Sequence, residues 1–383
     1  MTDDIFLTLS LLLMGALLAR FVASLLHIPE ILVLVAMGAL FGSSALDVVD
    51  VPFDSLGAQL IFTLGVSLIL FYGGLSLSLP ILRKVWMSLA LLAVPGVVIT
   101  ALIVGVTAHF AFDLDWSLSF LVGAVLALAV AGVVVSGGAS LTVPLRDFVV
   151  DLAISTVLGV VFGVVLSAAV SSHRTGLWRE SSAIAVMAVI SAGYFSIDSA
   201  GGSGYLGAFL AGLIVGNMEQ LRLAMRSDHE RDMRIFVSTV SEVMVMLVFI
   251  TLGANLPLRE IADELAPSLA VIAALILIAR PVTVLACLLP DRRGSWSRDE
   301  LVFLAWTRET GVVPAALAGI MVGLHVPDAD LVVTTVALAI IVTLVVQATT
   351  KHWLARRLHL IESIIPPTQP PREPASSAGV AVR

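Results

Sequence analysis

Residues 116–136 read WSLSFLVGAVLALAVAGVVVS, a run without a single charged side chain. A helix of about 20 mostly apolar residues spans the hydrocarbon core of a bilayer, so this run reads as a membrane crossing. Similar stretches surround it, at 5–27, 31–46, 57–79, 85–112, 149–171, 182–200, 203–217, 236–255, 267–290, 299–323 and 329–350. Hydrophobic residues make up 59% of the chain and charged residues 13%, against about 25% charged in ordinary soluble domains. No stretch alternates with the period of two that a membrane barrel needs, and lipid-embedded backbone must then be satisfied within helices. The expectation is an all-α, polytopic helical membrane protein with about 12 membrane helices.

The loops decide which end of each helix faces the cytoplasm, because short cytoplasmic loops are enriched in Lys and Arg. Four segments carry that excess: Arg83–Lys84; Arg222, Arg226, Arg231 and Arg234; Arg292, Arg293 and Arg298; and Lys351, Arg356 and Arg357. Acidic or neutral connections alternate with them, at Asp47–Asp54, Asp113–Asp115, Asp263–Glu264 and Asp328–Asp330. From Arg222 onward the alternation is strict and leaves the C-terminus cytoplasmic. Between Asp113–Asp115 and Arg174–Arg179 it fails. Those loops belong on opposite sides, which requires an odd number of crossings, yet only 117–136 and 149–171 lie between them. One helix does not span, a crossing is missing, or Arg174 and Arg179 lie outside. The fold is expected to hold one helix fewer than a closed topology needs.

Composition also narrows the function. The formal charge of −7 is spread over short loops and calls for no nucleic-acid partner. Cys287 is the only cysteine, so neither an internal disulfide nor a cysteine metal site is expected. The seven histidines lack the H-E-x-x-H spacing of a metal enzyme. No cofactor, metal or enzymatic role is expected. The start, Met-Thr-Asp-Asp, lacks the positive region of a cleaved signal peptide, so the first helix is expected to be retained. Residues 1–360 read as one membrane domain, and 361–383, with Pro366, Pro367, Pro370, Pro371 and Pro374, as a disordered cytoplasmic tail. A division into inverted repeats is expected near 149–180.

Charges at membrane depth mark ion paths or pairings. Glu242 and Arg280 lie at similar expected depths, about 10 and 15 Å at 1.5 Å per residue, so a Glu242–Arg280 contact is expected, as an ion path or a structural pair. Arg308 and Glu309 precede Gly311 and Pro314, and that combination predicts an interrupted helix. Arg308 alternatively snorkels to the headgroups. Asp198, just before Gly201, Gly202 and Gly204, is either a path residue or a helix cap. Thr251 and Thr283 line a path or bond their own helix backbone, and Gly207, Gly212 and Gly216 read as close-packing positions.

The run GGSGYLGAFLAGLIVGN at Gly201–Asn217 resembles a signature of the monovalent cation:proton antiporters. LILFYGGLSL from Leu68, SEVMVMLVFITLGANL from Ser241, LIARP ending at Pro281 and FLAWTRETGVVPAALAG from Phe303 agree in order. The chain is similar to the sodium/proton exchanger branch of that superfamily over nearly its whole length. The resemblance implies an inverted-repeat antiporter fold and a homodimer in the cell membrane. It also implies exchange of Na⁺ or K⁺ for H⁺, with Glu242 and Arg280 matching core-helix residues. One part of the pattern is absent. Relatives carry Thr-Asp-Pro in an unwound helix and an Asn-Asp or Asp-Asp pair in the next. Here neither Asn217 nor Asn255 precedes an aspartate, and the only Thr-Asp is Thr2–Asp3. FLVGAVLA ending at Ala127 resembles the start of one family helix, and LAVAGVVVSGG from Leu128 the end of the next. Thr310 stands where many relatives have arginine. Two readings follow: an antiporter working through Glu242, Arg280 and Glu309, or a degenerate, internally deleted paralogue. The missing carboxylate favours the second on mechanism.

Overall fold

The computed structural model describes residues 2–42, 45–49, 51–127, 142–171, 178, 181–221, 227–256, 258–291, 296–307, 311–323, 326 and 328–360. Every regular element among them is helical. In chain order these are α1 (Thr2–Leu26), α2 (Glu30–Phe41), α3 (Leu56–Leu75), α4 (Leu79–Leu91), α5 (Val97–Phe112), α6 (Trp116–Ala127), α7 (Thr142–Val170), α8 (Ser182–Ser199), α9 (Gly204–Gly216), α10 (Ser227–Ala254), α11 (Leu258–Ala274), α12 (Arg280–Leu288), α13 (Arg298–Trp306), α14 (Val312–Gly323), α15 (Ala329–Thr343) and α16 (Thr349–Arg357).

Eight helices among the described residues are long and apolar enough to cross a membrane, and four shorter apolar ones accompany them: α2, α6, α9 and α14. At 1.5 Å per residue the twelve residues of α6 cover about 18 Å, short of a 30 Å core. The 128–136 half of the 116–136 run lies outside the described residues, as do 361–383.

Three π-turns join helices into continuous rods: Leu92–Gly96 between α4 and α5, Leu275–Ala279 between α11 and α12, and Leu344–Ala348 between α15 and α16. The first contains Pro95 and the second runs up to Pro281. A proline has no N–H to donate, and the wider turn absorbs the lost bond.

Glycines set how closely the rods approach. A Cβ on Gly212 would lie 2.0 Å from the carbonyl oxygen of Phe71, and on Gly74 2.1 Å from that of Phe209, so α9 and α3 cross backbone to backbone. Gly38 and Gly253 bring α2 and α10 together in the same way, against the carbonyl oxygens of Ile250 and Val35. The packing role expected of Gly207, Gly212 and Gly216 is the one observed. Gly207 meets Ile197 and lies against Gly159, and Gly216 meets the Leu75 carbonyl.

Helix ends are tied by long-range polar contacts. Arg234 donates to the carbonyl oxygens of Leu75 and Gly216, the last residues of α3 and α9, while bonding Glu230 one turn back at 2.8 Å. Carbonyls at a helix C-terminus have no partner within the helix, and a guanidinium there satisfies them. Asn217 donates to Leu77 and Leu213 and accepts from the Leu79 N–H. Asn255 donates to Val51 at the far end of α10. α13 opens with a capping box: Ser297 accepts from the Glu300 N–H, and Glu300 accepts from the Ser297 N–H at 2.7 Å. That bond holds the Glu300 carboxyl below the usual carboxylate range.

Two buried clusters fill the interior. The larger joins α1, α2, α3, α5, α6, α10, α11, α14 and α15 around Phe62 and Phe249; the smaller joins α3, α7, α8, α9 and α10 around Phe71 and Leu166, and a third, minor one joins α12 and α13 through Val284, Leu288 and Leu301. Outward faces remain apolar, as with Phe6, Met14 and Phe21 on α1 and Phe195 on α8. That is the surface a bilayer solvates.

Candidate functional site

Glu242 is the sixteenth residue of α10, deeper along the helix than the 236–255 stretch implied, because α10 begins at Ser227. Its first two turns are polar and escaped the apolar periodicity. The carboxylate pairs with Arg20 of α1 at 2.6 Å. The expected contact with Arg280 is therefore corrected. α10 packs on α1, α2, α3 and α14, whereas α12, which carries Arg280, packs on α13 and α5. Depth along the membrane normal does not fix lateral neighbours.

Arg280 is largely buried beside α13, with Nη2 3.5 Å from the Leu304 carbonyl oxygen and Nε buried without a hydrogen-bond partner. Arg308 and Glu309 lie outside the described residues. The interruption expected around them is present: α13 ends at Trp306, Thr307 is extended, and α14 starts at Val312. Trp306 donates through Nε1 to Thr350 at 2.8 Å, anchoring the break to α16.

Asp198 is exposed on the last turn of α8, and its carbonyl oxygen accepts from Gly201, which sits at φ +82°. It caps no helix by its side chain. Ser203 caps α9 instead, accepting from the Leu206 N–H. Thr283 departs from expectation too: its hydroxyl meets that of Thr100 on α5 at 2.9 Å rather than its own helix. Thr251 is fully buried, with its hydroxyl unpartnered.

The charged groups converge where α1 ends and α2 begins. A cavity of about 430 Å³ is lined there by Pro29, Glu30, Leu34, Glu242, Lys351 and His352, among others. A pair of carboxylates, an ammonium and an imidazole thus share one opening between α2, α10 and α16, with the Arg20 guanidinium of α1 bonded to one of the carboxylates. Such a site attracts cations to its acids while holding net charge near balance. Half of the Arg20 and Glu242 side-chain surface is exposed (51% and 47%), so the pair is reachable from the cavity mouth. Arg20 and Glu30 were missed from sequence. Arg20 lies within the 5–27 stretch, where the rule that flagged Glu242 applies to it equally. Glu30 opens α2, and His352 lies just past the apolar stretch 329–350, where no such signal exists.

Comparison with known proteins follows this geometry closely in fold. The family model described as "Sodium/hydrogen exchanger, transmembrane" matches residues 9–136 and 125–357. The K(+)/H(+) antiporter NhaP2 of Shewanella sp. (strain ANA-3) is 29% identical over 424 residues, covering 97% of this chain and 70% of the relative. The K(+)/H(+) antiporter NhaP of Alkalimonas amylolytica is 26% identical, covering 92% and 67%. The low-affinity Na(+)/H(+) antiporter NhaS1 of Synechocystis is 24% identical, covering 94% and 75%. Among solved structures, the sodium proton antiporter MjNhaP1 from Methanocaldococcus jannaschii at pH 8 superposes with a TM-score of 0.78. It is 20% identical and covers 93% of this chain and 99% of that one.

Proposed function

Because this chain belongs to the sodium/hydrogen exchanger family, we propose that it exchanges a monovalent cation, Na⁺ or K⁺, for H⁺ across the cell membrane. The observation that carries this is the family match, which runs through the whole helical region, residues 9–136 and 125–357. The relatives named above supply the ion classes. The chain is a multi-pass membrane protein and not a catalyst of covalent chemistry. The arginine-rich ends of α10, α13 and α16 support a cytoplasmic C-terminus. A homodimer, with the apolar outer face of α1 available for contact, completes the proposal.

Exchange needs a carboxyl that is protonated or cation-bound in alternation. Glu242 is the acid we assign to that step among the described residues. Its guanidinium partner comes from α1, and entry of a cation competes with Arg20 for the same oxygens. The interruption between α13 and α14 supports the reading, since transporters use broken helices at ion sites. Arg280, Arg308, Glu309 and Asp198 stay candidates for the path beyond the cavity.

One observation favours the second reading, an internally deleted paralogue without transport. The alignment to the Shewanella relative runs over 424 residues although this chain has 383, so the relative carries residues with no counterpart here. Residues 125–136 fall within both family matches. Both facts support a join near Ala127–Leu128. The discriminating experiment uses everted vesicles from an antiporter-deficient strain. Na⁺- or K⁺-dependent dequenching of a pH dye, lost in Glu242→Gln, supports exchange. No dequenching from correctly inserted protein supports the paralogue.

A further inference from the structure

Glu30 opens α2 and faces the cavity alongside Glu242. Its oxygen Oε1 has no accessible surface and no hydrogen-bond partner. The charged groups around it come from three elements: Arg20 on α1, Glu242 on α10, and Lys351 and His352 on α16. His27, in the turn before α2, has Nδ1 3.3 Å from the Leu25 carbonyl oxygen. The Arg20 guanidinium is bonded to Glu242 at 2.6 Å, which leaves Glu30 within its field but without its hydrogen bond.

An ionised oxygen held out of water without a donor is unfavourable, and such groups become protonated or take a counter-cation. The opposite wall adds a second, independent oddity. The π-turn Leu344–Ala348 lines the cavity with its first and last residues, opposite Glu30. π-turns inserted in helices are frequent at functional sites.

We propose that Glu30 is a second exchange carboxyl, taking up one proton or one monovalent cation in competition at the mouth of this cavity. The inference rests on the antiport reading above. Binding of the cation breaks only the carboxyl O–H bond and releases that proton to the adjoining aqueous side, one for one. Arg20 acts as a positioning residue: its bond to Glu242 at 2.6 Å keeps the guanidinium off Glu30.

The test compares wild type, Glu30→Gln and Glu30→Asp in everted vesicles, measuring dequenching against Na⁺ and K⁺ concentration from pH 6 to 9. In Glu30→Gln the cation concentration for half-maximal exchange is expected to rise at least tenfold and to lose its pH dependence, with Glu30→Asp intermediate. An unchanged half-maximal concentration and pH profile in Glu30→Gln overturns the proposal while leaving antiport intact. Wild type without dequenching removes the antiport reading. The purified proteins then decide separately, by the shift in thermal midpoint on replacing choline chloride with NaCl or KCl. A cation-dependent shift present in wild type and lost in Glu30→Gln upholds the site. Equal shifts in the two, or none in either, sink it.

Discussion

Gly212 shows how a single hydrogen atom in place of a methyl fixes two helices. An added Cβ would stand 2.0 Å from the carbonyl oxygen of Phe71, an atom of the α3 backbone that cannot turn aside. Gly212→Ala is therefore expected to force α3 and α9 apart and cost about 1–3 kcal/mol or more, as overpacking does. Gly73, one position from Gly74 in the same helix, meets nothing within 4 Å. Gly73→Ala is expected to leave stability unchanged or raise it by about 0.5–1 kcal/mol. Size-exclusion profiles and thermal midpoints of the two variants in detergent check the contrast; equal behaviour would refute the close crossing. Arg234 offers a second residue-scale check. Its loss leaves the carbonyls of Leu75 and Gly216 without their guanidinium, and Arg234→Gln is expected to lower the midpoint while Glu230→Gln has a smaller effect. At this scale Glu242 was legible because a charge within an apolar run is unusual whatever surrounds it. Its partner was not. Arg20 and Arg280 are equally charged and both near its depth, and only lateral packing chooses between them.

At the scale of elements, the break between α13 and α14 was readable from Gly311 and Pro314, since proline removes a donor and glycine relaxes the backbone. The start of α10 was not. Residues 227–235 are polar, and their helix is held by the contact of Arg234 with other elements rather than by apolar periodicity. α13 is short enough to depend on its cap. Ser297→Ala removes the acceptor for the Glu300 N–H and is expected to cost about 1 kcal/mol. The Glu300 carboxyl, which accepts from the Ser297 N–H, is held low by the folded helix, so its half of the capping box is present above the usual carboxylate range and fades as pH falls through the lowered value. A midpoint difference between wild type and Glu300→Gln that shrinks toward pH 3 checks this; a difference independent of pH contradicts it. The three π-turns had partial signals: Pro95 and Pro281 mark two, and nothing in the residues marks the third at Leu344–Ala348.

For the whole molecule, helical class and membrane character followed from composition, and the family from five ordered segments. The charge rule also exposed a topology that does not close between Asp115 and Arg174. A reporter fused after Arg179 is expected to signal from the cytoplasm, and a periplasmic signal would show that the loop is misplaced. Sequencing the coding DNA across codons 127–128 in independent isolates is expected to return the same uninterrupted join.

Purified protein reconstituted into proteoliposomes, with a pH dye inside and an imposed Na⁺ or K⁺ gradient, asks directly whether this polypeptide swaps ions through Glu242. Cation addition should alkalinise or acidify the lumen according to the gradient, without response to choline, and Glu242→Gln should abolish the signal. A folded wild-type protein that leaves the luminal pH unmoved, or a Glu242→Gln variant that exchanges as wild type does, would contradict that assignment.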